Sequence, residues 1–141
     1  MTLVVDASVA AKWFVEETGS EAAVALLDLG PELLAPDLLL AEVANVAWKK
    51  LRRGEIAPHH LQVPVHWVRT GVPRLVPIGS LIEEAIAITV ELDHPIYDCV
   101  YLALAVRSEA PLITADRRLQ GRVAGTRFET RVRPLVESNA H

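Results

Sequence analysis

Short runs of Val, Leu and Ile punctuate this chain, and longer stretches with helix start and stop signals lie between them. The runs at 3–5, 33–35, 75–78 and 112–114 read as buried strands, with a fifth strand at 132–136. Helices are expected at 9–15 with Ser8 as cap, at 21–29 with Ser20 as cap, and at 37–53, stopped by Gly54. Further helices follow at 59–70, with a kink or break at Pro64, and at 81–92, 95–108 and 116–123. Strands alternating with helices imply the α/β class: a central parallel sheet of four to five strands flanked by helices. Pro77 within the third run points to a sheet edge. Nothing in the sequence resembles a linker, a repeat or a low-complexity tract, so residues 1–141 read as one domain, with 137–141 expected to fray.

Four acids border these apolar segments. Asp6 follows Leu3-Val4-Val5, Glu42 follows Leu38-Leu39-Leu40-Ala41, Asp98 precedes Cys99-Val100-Tyr101-Leu102, and Asp116 closes Leu112-Ile113-Thr114-Ala115. Each has a local alternative. Glu42 and Asn45, three apart, share a helix face that continues to Lys49 and Arg52; this is either a solvated stripe or a ligand with its orienting neighbour. Asp98 suits the positive end of a helix dipole, although Asp93 is the better cap, and Asp116 suits an N-cap for 117–119. Asp6 is the least explicable locally. Together the four repel: two charges about 4 Å apart cost roughly 4 kcal/mol at an effective dielectric near 20. Either some are protonated, or a divalent cation binds, and hard oxygen ligands select Mg²⁺ or Mn²⁺.

Composition narrows the function classes. A net charge of −4 excludes a generally basic nucleic-acid coat but not a local basic patch. The single cysteine, Cys99, excludes an internal disulfide and favours a reducing cytoplasm; it reads as a small buried apolar residue. No segment reads as a signal peptide or membrane anchor. His59, His60 and His66 have no cysteine partners for zinc, and His94 is expected to shape the start of a helix. Trp13, Trp48 and Trp67 read as packing or partner-facing residues, with base stacking the sharper alternative for Trp13.

In order along the chain, Val4-Val5-Asp6-Ala7-Ser8, Pro36-Asp37 with Glu42 and Asn45, His94-Pro95-Ile96-Tyr97-Asp98-Cys99-Val100-Tyr101, and Leu112-Ile113-Thr114-Ala115-Asp116-Arg117-Arg118 resemble the PIN domain. The compact form resembles VapC-type toxins of toxin–antitoxin pairs. The resemblance implies a Mg²⁺- or Mn²⁺-dependent endoribonuclease that cuts RNA phosphodiesters with a metal-activated water. It also implies a homodimer and inhibition by a VapB-type antitoxin. Asp6, Glu42, Asp98 and Asp116 match the family's catalytic and metal-holding acids, and Ser8, Asn45 and Thr114 match the polar positions beside them. Some relatives carry a further acid beyond the fourth, where this chain has Leu119 and Gln120.

An acidic pit repels RNA unless cations surround it, and Lys12, Lys49, Arg52, Arg117 and Arg118 are the candidates for that rim. A receiver domain would need a lysine late in the chain, and the last is Lys50; an aspartyl-nucleophile phosphatase would need an acid where Ser8 stands. The remaining alternative is a non-catalytic RNA- or protein-binding module on the same fold.

Overall fold

The computed structural model describes residues 1–136, so the expected fraying at 137–141 lies outside the described residues. Among these residues five strands form one sheet: β1 (Thr2–Val5), β2 (Glu32–Pro36), β3 (Arg74–Val76), β4 (Leu112–Thr114) and β5 (Val132–Pro134). All pairs are parallel and the order is β3-β2-β1-β4-β5. Leu3, Val4 and Val5 are all buried although successive side chains point to opposite faces, so both faces of β1 are covered. The expected edge strand is at the edge, and its pairing stops at Val76, before Pro77.

Among the described residues seven helices connect the strands: α1 (Ala7–Ala10), α2 (Ser20–Asp28), α3 (Leu38–Arg52), α4 (Val63–Gly71), α5 (Ile82–Leu92), α6 (Ile96–Ser108) and α7 (Arg117–Val123). Cys99 through Ala105 of α6 are buried without a break, which marks a helix enclosed on all sides. Cys99 is the buried small residue its setting predicts. Among the described residues no helix is long and apolar enough to cross a membrane.

Several local expectations need correction. Asp6, not Ser8, caps α1, accepting from the Val9 N–H at 3.2 Å; α1 ends at Ala10 and passes into a 3₁₀ turn at Ala11–Trp13. Gly19 holds the cap position of α2 with φ +92°, a left-handed conformation that suits glycine. Ser20 instead ties back to the Val15 carbonyl at 2.9 Å. Pro64 does not kink a helix: it lies in the first turn of α4, where its missing N–H has no intrahelical role, and a separate 3₁₀ turn spans Pro58–His60. Asp93 does not cap α6; it terminates α5 with φ +52°, and Pro95 stands at the cap position of α6.

Candidate active site

The chain leaves β1 for β2 and β3 on one side, then returns to place β4 and β5 on the other. The order therefore reverses between β1 and β4, and open α/β sheets bind ligands in the crevice at the carboxyl ends of such neighbouring strands. Val5 pairs in register with Ile113, so the next residues, Asp6 and Thr114, face each other at that edge.

Asp6 is only 5% exposed. Its Oδ1 accepts from Ser8 Oγ at 2.5 Å and from the Val9 N–H, and its Oδ2 accepts from Thr114 Oγ1 at 2.5 Å. Ser8 Oγ also accepts from the Ala115 N–H at 2.9 Å, and Thr114 Oγ1 accepts from the Asp116 N–H at 3.0 Å. Two hydroxyls thus bolt the ends of β1 and β4 together around one carboxylate. Burial pushes the Asp6 carboxyl up to about 6, against the pull of the Ser8, Thr114 and Val9 hydrogen bonds, and the Asp98 charge adds to the rise.

Glu42 stands on α3, half-buried, with Oε1 accepting from the Tyr101 hydroxyl at 2.5 Å. Burial raises its pKa, the Tyr101 hydrogen bond opposes that, and Asp98 again adds to it. The Tyr101 phenol is itself pushed up by burial and by Glu42, so it stays a donor. Asp98, in the first turn of α6, pairs through Oδ2 with His94 Nε2 at 2.6 Å. Asp116 caps α7 through Oδ1, which accepts from the Arg118 and Leu119 N–H groups at 2.9 and 3.4 Å. Capping and crevice placement are thus compatible for Asp116: it lines, with Glu42 and Asp98, one open cleft of about 610 Å³. Asp6 lies deeper, coupled to this cleft through the Asp98 charge.

Tyr101, His94 and Arg122 have a place in this constellation that the sequence alone does not assign. Tyr101, rather than Asn45, holds Glu42; Asn45 is exposed and has no hydrogen bond to Glu42 among the described residues. His94 lines the cleft and clasps Asp98, and Arg118 and Arg122 line it as well. Of the candidate rim cations, Lys12 is turned away to Glu17 Oε1 (3.1 Å) and the Thr18 carbonyl (2.7 Å). Lys49, Arg52, Arg117 and Arg118 have no carboxylate partner among the described residues. Trp13 packs, donating its indole N–H to the Ala23 carbonyl at 2.8 Å.

Among the described residues no three His, Cys, Asp or Glu side chains are drawn tightly enough together to chelate an ion without rearrangement. The donor set nevertheless fits a hydrated hard cation. Mg²⁺ keeps several waters and takes one or two carboxylates rather than an all-protein cage. Glu42, Asp98 and Asp116 each have one carboxylate oxygen engaged and the other without a hydrogen bond among the described residues.

Fold and crevice together define a parallel α/β protein with acids gathered at its topological switch point. The PIN domain family model matches residues 3–125. The chain is 33% identical over 121 residues to "Ribonuclease VapC3" of Pyrobaculum aerophilum, covering 84% of this chain and 92% of that one. The chain belongs to the PIN domain family. Two solved structures share the fold. A toxin–antitoxin complex from Klebsiella pneumoniae has a TM-score of 0.69 at 19% identity, over 96% of this chain and 98% of that chain. The protein PAE2754 from Pyrobaculum aerophilum has a TM-score of 0.66 at 24% identity, over 89% and 87%.

Proposed function

We propose that this chain is a Mg²⁺- or Mn²⁺-dependent endoribonuclease and the toxin of a toxin–antitoxin pair, restrained by a VapB-type antitoxin. The observation that carries the proposal is a cleft lined by Glu42, Asp98 and Asp116, with Asp6 buried at the carboxyl end of β1 and within reach of the Asp98 charge. The similarity to a protein named as a ribonuclease supports the activity, and the fold shared with a toxin–antitoxin complex supports the partner.

Asp98 and Asp116 would hold the cation through their unengaged oxygens, and the one unengaged oxygen of Glu42 is either a third ligand or the base for the attacking water. A carboxylate offers about four lone-pair sites, and Ser8, Val9 and Thr114 occupy three on Asp6, which leaves one for the cation. The ion, when bound, would supply Lewis acidity for polarising the phosphodiester and lowering the pKa of the attacking water. Glu42, with its pKa raised by burial, is suited to orient that water and take its proton. The water oxygen bonds to phosphorus as the ester P–O bond breaks, and the leaving oxygen takes up a proton. Arg118 and Arg122 at the cleft offset the negative charge of the approaching backbone. Residues 1–141 act as one nuclease domain in this proposal, because β5, beyond the matched stretch, pairs with β4. The lone cysteine suits a cytoplasmic setting.

The test is digestion of total cellular RNA. Fragments are expected with Mg²⁺ or Mn²⁺, none with EDTA, and restored cleavage when metal is returned. RNA retention without cleavage under all conditions would instead support a non-catalytic binding module. A homodimer is part of the same proposal, supported by exposed Ile86 (53%) and Val90 (78%), one turn apart on α5. Light scattering at micromolar concentration should give twice the chain mass; a monomer contradicts it.

A further inference from the structure

We propose that the outer face of α3 is a track for unpaired RNA leading to the cleft, with Trp48 as the platform on which a base stacks. The inference rests on the nuclease reading and adds the surface along which its substrate is held.

Ala41, Asn45, Trp48, Lys49 and Arg52 are the exposed positions of α3, and helical spacing puts them on one face beside Glu42. From Glu42 to Arg52 the face runs about 15 Å at 1.5 Å per residue. Its chemistry changes along that length, from the acid at the cleft, through an amide, to an aromatic ring followed by two cations. Trp48 is 45% exposed, so its ring is available to a partner. The Arg52 guanidinium stands over that ring, 5.0 Å from its centroid. Ring and cation together present the surface that base faces and phosphates recognise.

The cations are unevenly engaged. Lys50 and Arg53 reach Glu55 at 3.4 and 4.0 Å, whereas Lys49 and Arg52 have no carboxylate partner among the described residues. An open hollow of about 410 Å³ lies against Lys49, Arg52 and Arg53. Basic residues in the last turn of a helix are already explained by the macrodipole. That effect explains neither the exposed indole nor the arginine stacked on it. In a chain of net charge −4, this unpaired positive strip is complementary to a polyanion. Bases inside a duplex are stacked on each other and offer no face to Trp48, so the occupant is a single strand.

The experiment measures binding of a fluorescent, mixed-sequence, unpaired oligoribonucleotide to the full chain in EDTA by anisotropy, alongside cleavage with Mn²⁺. Trp48→Ala should bind about tenfold more weakly, with Trp48→Phe close to wild type, because a phenyl ring still stacks. In cleavage the loss should appear in KM. Lys49→Gln and Arg52→Gln should each lower the slope of log affinity against log salt by about 1. A duplex of the same sequence should not distinguish wild type from Trp48→Ala. No binding by wild type, or equal binding by wild type and Trp48→Ala while wild type still cleaves, overturns the track and leaves the nuclease reading standing. An equal loss for duplex and single strand overturns the single-strand assignment. Absence of cleavage by wild type strikes the nuclease reading instead.

Discussion

Replacing Asp6 by asparagine is expected to end RNA cleavage while making the metal-free protein more stable at neutral pH. The carboxyl rises from 3.8 to about 6 on folding, and desolvation is the largest cause. The sign follows from proton binding. Below pH 3.8 the group is protonated in both states and contributes nothing. Between about 4 and 6 the unfolded chain loses its proton while the folded chain keeps it, so stability falls as pH rises. Above about 6 the penalty is complete, at roughly 3 kcal/mol for a shift of about two units. Asparagine removes that penalty and keeps the contacts. Its Oδ1 still accepts from Ser8 and Val9, and its amide donates to Thr114 Oγ1, which rotates to accept. Thermal melts in EDTA should show Asp6→Asn above wild type at pH 7.5, with the two converging near pH 4. Cleavage with Mn²⁺ should fall by a factor on the order of 10²–10³. A variant that melts below wild type at pH 7.5 would mean that the folded carboxylate is not strained. One that keeps full activity would take Asp6 out of the mechanism.

The parts of this site that follow from local chain geometry were legible in the sequence. Asp6 comes directly after β1 and Asp116 follows β4 with only Ala115 between, and once those strands run parallel as neighbours the two acids share a rim. Tyr101 was not legible for a physical reason. It stands in an unbroken run of buried residues, where a tyrosine reads as core filling, and its partner lies 59 residues earlier on another helix. Its spacing of three from Asp98 was the available signal, since it puts both on one face of α6. His94 and Asp98 likewise have the i, i+4 spacing of a helical pair, but His94 precedes the Pro95 cap and so lies outside the helix on which that spacing has its meaning. Ser8 was visible as a hydroxyl beside a helix. That it reaches the backbone of Ala115, 107 residues on, depends on β1–β4 pairing and not on its neighbours. Strand and helix existence followed from apolar periodicity, whereas the caps expected at Ser8, Ser20 and Asp93 fail for separate reasons: Asp6 holds the first terminus, a left-handed Gly19 the second, and Pro95 the third, with Asp93 ending the preceding helix. The separation between the acids is a tertiary quantity with no trace in sequence spacing.

Thr114→Val should destabilise the protein by about 2–3 kcal/mol at pH 8, and by clearly less at pH 5. Valine keeps the shape and the strand preference of threonine, so packing at this fully buried position is retained. What is lost is one hydroxyl with two duties: donating to Asp6 Oδ2 and accepting from the Asp116 N–H. Removing the donor leaves a buried carboxylate oxygen unsatisfied, which costs more for a charged group than for a neutral one. The Thr114 bond is among the interactions that hold the Asp6 pKa down, so without it the folded value climbs beyond about 6. At pH 5 the folded carboxyl is mostly neutral in both proteins and the missing donor matters little. At pH 8 wild type is ionised, and the variant bears either an unsupported charge or the cost of taking up a proton. The ascending limb of cleavage against pH should move to higher pH for the same reason, because a smaller fraction of Asp6 is ionised at any given pH. Urea unfolding in EDTA at the two pH values separates the duties. A stability loss equal at pH 5 and pH 8 would mean that Thr114 serves the Asp116 backbone alone, and that the carboxylate it faces is held by Ser8 and Val9 without its help.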